Sequence, residues 1–195
     1  MKKRAPHLIL GIALLLPALA LAHSSADATH THDALLSGLL HPYTGLDHLA
    51  AMLALGLWSA LAVRPVWLAP LAFVLMLAAG ALAGFAGLAI PAVEPMVAAS
   101  LLVLGLLLAT RRGLPLGLAA TLTGVFAFFH GAAHGTELIG LDHGRALVGM
   151  LLGTALLHGI GIVLGRTLYA HRHGLSTATG GAVALLGTTL LWRIA

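Results

Sequence analysis

Residues 66–86 read VWLAPLAFVLMLAAGALAGFA and include no charged side chain. A membrane-spanning helix needs about 20 predominantly apolar residues to cross the hydrocarbon core, so this stretch is long enough. The whole chain of 195 residues has the same character, because 59% of its residues are hydrophobic and only 8% are charged. An ordinary soluble domain carries about 25% charged residues. The composition therefore excludes a soluble cytosolic enzyme and indicates an integral membrane protein.

Apolar stretches of similar length recur at residues 45–63, 92–110, 114–134, 145–165 and 175–194. Proline, glycine and arginine separate them, as is typical of tight loops between helices. Glycines at four-residue spacing, such as Gly80 and Gly84, are expected to let neighbouring helices pack closely. Every backbone polar group inside a bilayer must be hydrogen-bonded within the protein, so these stretches form helices. The sequence predicts an all-α fold, a polytopic membrane bundle of six transmembrane helices.

The N-terminus has the three parts of a secretory signal peptide. Residues 2–4 are basic, residues 8–20 are apolar, and residues 20–22 read ALA, which is a typical cleavage site. An uncleaved first transmembrane helix is the alternative, but the apolar part is short and contains a proline. We therefore predict that residues 1–22 are removed. Residues 23–195 then form a single six-helix transmembrane domain with a short periplasmic tail that contains histidines.

The charged residues are sorted between the two sides of the predicted bundle. With the mature N-terminus outside, the cytoplasmic loops carry five arginines and no acid: Arg64, Arg111, Arg112, Arg166 and Arg172. The outer segments carry Asp27, Asp33, Glu94, Glu137 and Asp142, together with Arg145 and Arg193. This asymmetry follows the positive-inside rule and agrees with a cleaved signal. We expect a multi-pass protein of the bacterial inner membrane with both termini in the periplasm.

Ionisable residues inside a membrane helix are costly and usually mark a site or a pathway. Two segments concentrate them, because residues 41–48 read HPYTGLDH and residues 129–137 read FHGAAHGTE. Their imidazoles and carboxylates belong to His41, Asp47, His48, His130, His134 and Glu137. His130 and His134 are four residues apart, so their side chains share one face of a helix. The predicted topology puts both segments at the same membrane level, where they can meet.

Imidazoles with a nearby carboxylate suit a borderline divalent cation such as Ni²⁺, Co²⁺ or Zn²⁺. The chain has no cysteine, which excludes thiolate metal sites and iron–sulfur clusters. The alternative for each histidine is a buried side chain that is hydrogen-bonded to a neighbouring helix. The concentration of such groups in two segments at one depth favours a metal site. The spacing does not identify the metal.

The same two segments resemble the two signature motifs of the HupE/UreJ family, and the sequence around His158 resembles a further family pattern. The members of that family are bacterial inner-membrane proteins regarded as nickel or cobalt permeases, often linked to hydrogenase or urease maturation. The resemblance covers essentially the whole mature chain. It implies metal-binding roles for His41, Asp47, His48, His130, His134 and Glu137, and it leaves the choice between nickel and cobalt open.

Four other residues are additional candidates for metal binding or for the pathway. His158 lies deep in the fifth predicted helix and either relays an ion or proton inward or makes an interhelical hydrogen bond. Asp142 and His143 repeat the Asp-His pair of residues 47–48, as a second outer ligand pair or as a chance similarity. His23 begins the mature tail and either captures metal or belongs to a solvated leader.

The leading hypothesis for function is a permease, not an enzyme, that takes nickel or cobalt from the periplasm to the cytoplasm. The mature chain has no lysine and no phosphate-binding loop, so a gradient or the membrane potential would drive transport instead of ATP. An intramembrane metal-dependent hydrolase and a non-transporting metal sensor or accessory protein are the alternatives.

The sequence also bears on partners. No resident cofactor is required, since the divalent metal is the cargo. The lipid bilayer is the surrounding medium, and the absence of a basic patch excludes nucleic acid although the pI is near 10.4. A homo-oligomer is compatible with the sequence. The imported metal would be used by a hydrogenase, by a urease or in cobalamin biosynthesis.

Overall fold

The computed structural model describes residues 33–137 and 142–195, except for the side chains of Asp33 and Glu137. The predicted signal peptide and His23 lie outside the described residues. The secondary structure of the described part is helical, in agreement with the predicted all-α class. Its α-helices are α1 (Asp33–Leu40), α2 (Leu46–Ala62), α3 (Leu68–Phe85), α4 (Val93–Thr110), α5 (Leu116–Glu137), α6 (His143–Leu164) and α7 (His173–Ile194). A π-helical turn, Gly165–Tyr169, extends α6 towards α7.

Helices α3 to α7 are each long and apolar enough to span a membrane. A sixth span is present if α1 and α2, which are bent by 75° at a short break, are counted as one. The predicted spans coincide with α2 to α7, and their ends differ by no more than a few residues. Proline and arginine at the ends of the apolar runs account for this agreement, because they interrupt helices or favour the aqueous side. The protein is therefore a multi-pass membrane protein.

Helix α1 was not predicted, because eight residues are too few for a periodic pattern that can be recognised in the sequence. It packs against α6, where glycines allow the two backbones to approach. A Cβ atom on Gly149 would lie 2.1 Å from the Leu35 carbonyl oxygen. The chain then passes through a 3₁₀ turn, His41–Tyr43, which contains Pro42 and directs the chain into α2. This packing holds His41 close to the start of α2.

Helices α3 and α5 pack in very close contact through glycine. A Cβ atom on Gly80 would lie 1.9 Å from the Phe128 carbonyl oxygen, and one on Gly131 would lie 2.0 Å from that of Leu77. Small residues at a helix interface permit this approach in a membrane, as expected for Gly80 and Gly84. Gly131 lies directly after His130. The α3–α5 contact therefore sets the rotation of α5 and turns its histidines into the bundle.

The end of the bundle that the arginines predict to be cytoplasmic is held by hydrogen bonds to backbone carbonyls and to one serine hydroxyl. Arg111, which follows α4, donates from Nη1 to the Ala170 carbonyl at 3.1 Å and from Nε to Ser176 Oγ at 2.8 Å. The Trp58 indole nitrogen donates to the Arg112 carbonyl at 2.8 Å. These bonds satisfy polar groups where the helices end, as helix termini require. They join α2, α4 and α7 at the end of the bundle opposite to the histidine-rich segments.

Candidate metal-binding site

The two histidine-rich segments meet at one end of the bundle. The ring centroids of His48 and His134 are 4.2 Å apart, and those of His48 and His130 are 4.8 Å apart. His41 lies against His134 with a centroid separation of 4.6 Å. We call these four imidazoles, together with the Asp47 carboxylate, the histidine cluster. Its members come from the 3₁₀ turn, the first turn of α2 and the last two turns of α5.

The imidazoles of the histidine cluster are removed from bulk solvent to different degrees. His130 is fully buried, His134 is 1% exposed and His48 is 7% exposed, whereas His41 is only half-buried. The i, i+4 spacing places His130 one helical turn deeper than His134 along α5. The cluster thus forms a short row of imidazoles that leads from the end of the bundle towards its interior.

Asp47 orients the imidazole of His48. Its Oδ1 accepts the backbone N–H of His48 at 2.9 Å and lies 3.0 Å from His48 Nδ1. A carboxylate can only accept, so the proton of a neutral ring is on Nδ1. The lone pair is then on Nε2, which is buried and has no hydrogen-bond partner among the described residues. This carboxylate–imidazole pair has the arrangement that prepares a histidine to bind a metal.

Ser100 of α4 orients the imidazole of His130. The Ser100 hydroxyl donates to the Val97 carbonyl at 2.7 Å, and its oxygen lies 2.8 Å from His130 Nε2. Both bonds form together only when Nε2 carries the proton and donates it to the serine. The lone pair is then on Nδ1, which is buried without a partner among the described residues. His48 and His130 therefore each have one bonded nitrogen and one nitrogen available as a ligand.

Sequence reasoning missed Ser100. A serine inside a membrane helix usually bonds its own backbone one turn earlier, as Ser100 also does, so its presence in an apolar run carries no functional signal. Its role depends on α4 and α5 lying side by side, which the sequence pattern does not show.

The imidazoles contact each other edge-on or at a tilt instead of surrounding one point. Within residues 33–137 and 142–195, no group of three or more His, Asp or Glu side chains is arranged to hold a metal ion. Coordination of one cation by several members of the histidine cluster therefore requires rotations of their rings. The hydrogen bonds of His48 Nδ1 and His130 Nε2 restrict such rotations for these two rings.

Two cavities reach the histidine cluster from different sides. One, of about 420 Å³, is lined by Asp47 and His48 and by residues from the start of α4 and the end of α7, including Glu94 and Arg193. The other, of about 250 Å³, is lined by His41, Thr44, Gly45, Asp47, His48 and His134. From the sequence alone, Glu94 and Arg193 indicate only the topology. Charges near helix ends are ordinary at a membrane interface, so nothing in the sequence singled them out.

His158 lies deeper in the bundle and is 2% exposed. Both of its ring nitrogens are buried without a hydrogen-bond partner among the described residues. Its ring stands edge-on to Phe73 at 5.2 Å, and Phe73 also contacts the His130 ring at 5.6 Å. Phe73 thus links His158 to the innermost imidazole of the histidine cluster.

The other candidates lie apart from these groups or outside the described residues. Asp142 caps the start of α6 by accepting the Arg145 backbone N–H at 3.2 Å, and it lies 3.5 Å from Arg145 Nε. His143 is exposed and stacks on Phe85 with a centroid distance of 4.4 Å. Glu137 ends α5, which confirms that the helix continues past His134, but its side chain is outside the described residues.

The fold and the candidate site define a polytopic helical membrane protein in which imidazole nitrogens and one carboxylate lie together at one end of the bundle. A family model described as HupE / UreJ protein matches residues 11–190. The chain is 41% identical to Protein HupE of Rhizobium leguminosarum bv. viciae over 182 residues, which cover 92% of this chain and 93% of that protein. No solved structure matches the chain significantly. The chain belongs to the HupE/UreJ family, a family of metal transport and accessory proteins for nickel and cobalt, not of enzymes.

Proposed function

We propose that the protein is a permease that carries Ni²⁺ or Co²⁺ across the bacterial inner membrane from the periplasm to the cytoplasm. Both termini are then periplasmic, and the histidine cluster faces the periplasm. The observation that carries this proposal is the pair of oriented imidazoles. His48 and His130 are each held through one nitrogen, which leaves His48 Nε2 and His130 Nδ1 available as ligands in a buried site.

Capture begins in the cavity of about 420 Å³ that reaches Asp47 and His48. The carboxylates of Asp47 and Glu94 line this cavity and attract a cation from the aqueous side. Water in the first coordination shell is replaced stepwise by imidazole nitrogen, which Ni²⁺ and Co²⁺ accept readily. Zn²⁺ uses the same ligands and is therefore a competitor. Arg193 lines the same cavity and disfavours its occupation by more than one cation.

Release requires that the site binds the ion weakly enough to let it leave. The imidazoles are neutral ligands, and they are not already arranged around one point. Binding must pay for ring rotation, which lowers affinity and speeds dissociation. The membrane potential acts on two charges, worth about 4.6 kcal/mol per 100 mV for a divalent ion. This is sufficient to drive inward movement without ATP.

The metal is cargo in this proposal, and no resident cofactor is needed. The imported ion would serve maturation of a hydrogenase or urease, or cobalamin biosynthesis. The lipid bilayer is the medium in which the bundle is stable, and a homo-oligomer is compatible with its apolar outer surface.

Uptake of radioactive nickel and cobalt tests the proposal in cells that express the wild type, His134→Ala or His171→Ala. The first substitution removes an imidazole of the histidine cluster, whereas His171 is exposed at the opposite end and serves as the matched control. We expect His134→Ala to reduce accumulation to the level of cells without the protein and His171→Ala to leave it unchanged. Equal accumulation with the protein absent, present or mutated would refute the permease. Metal binding by the purified wild type without transport would instead support the accessory alternative.

A further inference from the structure

Helix α6 carries a row of three buried side chains that the proposed function does not use. Met150, Thr154 and His158 follow one another at four-residue spacing, so they share one face of the helix. Met150 and Thr154 are fully buried and His158 is 2% exposed. The row therefore faces the interior of the bundle, and its donor atoms become more polar from the thioether of Met150 to the imidazole of His158.

Thr154 and His158 are unusual because their polar atoms lack partners. Thr154 Oγ1 and both ring nitrogens of His158 are buried without a hydrogen-bond partner among residues 33–137 and 142–195. A buried threonine in a membrane helix normally bonds a carbonyl one turn earlier, as Thr123 does with Ala119 at 2.8 Å. Burying such polar groups unpaired is costly, because they give up their hydrogen bonds to water and gain none in the protein. The cost indicates a ligand that these groups serve.

The two side chains lie inward of the histidine cluster. α6 begins at His143 at the same end of the bundle as the cluster, and His158 is 15 residues further on, or roughly 22 Å along the helix. Thr154 is one turn closer to that end. The Phe73 ring contacts both the His130 ring and the His158 ring. A cation that leaves His130 inward therefore meets Phe73, Thr154 and His158 next.

We propose that Thr154 and His158 form a second, transient site for the same divalent cation, separated from the histidine cluster by Phe73. This inference rests on the proposed permease function. The hydroxyl and imidazole are neutral, so they replace part of the ion's water shell without holding the ion as carboxylates would. Water completes the coordination. Phe73 prevents a continuous row of ligands between the two sites, which favours movement of the ion in discrete steps.

The chain contains no cysteine, so one introduced thiol can report on the second site. The protein is reconstituted in proteoliposomes that contain a nickel-sensitive dye, and nickel influx is measured with and without Cd²⁺. In Thr154→Cys the new thiolate and the His158 imidazole one turn away make a site for this soft cation. We expect Cd²⁺ to block influx through Thr154→Cys at concentrations at least about tenfold lower than through the wild type.

Thr123→Cys is the matched control, because Thr123 is equally buried but bonded to backbone carbonyls of α5. We expect its sensitivity to Cd²⁺ to equal that of the wild type. Adding His158→Leu to Thr154→Cys should restore resistance to Cd²⁺ if both residues belong to one site. Equal sensitivity of Thr154→Cys and the wild type, or no effect of the second substitution, overturns the inference. Absence of nickel influx through the wild type is a different result, which overturns the permease itself.

If Thr154→Cys does not transport nickel even without Cd²⁺, two other variants test whether Thr154 belongs to a second site. Thr154→Ser keeps the hydroxyl, so we expect it to retain most of the nickel influx. Thr154→Val keeps the shape but removes the hydroxyl, and we expect influx to fall several-fold while nickel binding by the histidine cluster is unchanged. Equal rates for the two variants overturn the inference.

Discussion

The tetrapeptide Gly-Leu-Asp-His occurs twice in the chain, at residues 45–48 and 140–143, and its two Asp-His pairs have different roles. Asp47 bonds the ring of His48, which is buried in the histidine cluster. Asp142 bonds the backbone of α6, and His143 is exposed and stacks on Phe85. Equal sequence therefore does not produce equal chemistry here.

The difference follows from where each helix begins. Gly45 is the N-cap of α2, in an extended conformation, so Asp47 lies inside the first turn and its side chain is available to His48. Asp142 is itself the N-cap of α6, and its carboxylate is used by an N–H group of the first turn. A shift of two residues in the helix start converts an orienting carboxylate into a helix cap.

The largest effect is expected from the two histidines. His48→Ala removes a buried imidazole that contacts two other members of the histidine cluster, so nickel uptake should fall to background. His143→Ala removes only a ring stacked on Phe85 and should leave uptake near the wild-type level. The uptake of radioactive nickel at a limiting nickel concentration measures the effect of both substitutions. Equal loss in the two variants would contradict the assignment of different roles to the two pairs.

A smaller effect is expected from the two aspartates. Asp47→Asn weakens the bond that holds the proton of His48 on Nδ1, and we expect metal affinity to fall roughly 10- to 100-fold. Asp142→Asn keeps a good N-cap, so affinity should not change. Isothermal titration of the purified proteins with nickel gives both values. An unchanged affinity in Asp47→Asn would show that this carboxylate does not prepare the ligand.

Ser100 and Asp47 have similar roles, because each orients a histidine of the cluster. Ser100 orients His130 from a neighbouring helix, whereas Asp47 orients His48 within the same helix. Ser100→Ala is expected to lower nickel affinity about tenfold, since the preferred tautomer of His130 is lost. Ser100→Thr keeps the hydroxyl and should retain most of the affinity. Ser59→Ala, at an equally buried serine that bonds the Val66 carbonyl, is the control for a purely structural effect. A similar loss of affinity in Ser59→Ala would count against the positioning role.

The smallest effect is expected from the helix cap. Asp142→Ala removes the side-chain acceptor at the start of α6 and should lower stability by about 1 kcal/mol, with transport unchanged. Thermal unfolding of Asp142→Ala and Asp142→Asn in detergent measures this loss of stability. A loss of transport that exceeds the loss of folded protein would place Asp142 in the pathway after all.

The sequence was sufficient for α2 to α7, since long apolar runs bounded by arginine or proline determine helices in a bilayer locally. It was not sufficient for α1, which is too short to produce a periodic signal and depends on packing against Gly149. It identified the imidazoles of the histidine cluster as candidates, because histidines in membrane helices are rare. It did not identify Ser100 or Thr154, because hydroxyl residues are common in such helices and only their contacts distinguish them.

The sequence by itself therefore determined that the chain lies in a membrane, how its helices are divided, and which residue types carry the chemistry. Hydropathy, charge and spacing are local properties, and they need no knowledge of neighbouring helices. Only the tertiary structure decided which donors share a site. That depends on the rotation of each helix, which is set by close glycine contacts such as those between α3 and α5. It also depends on the residue at which each helix starts, which separates Asp47 from Asp142.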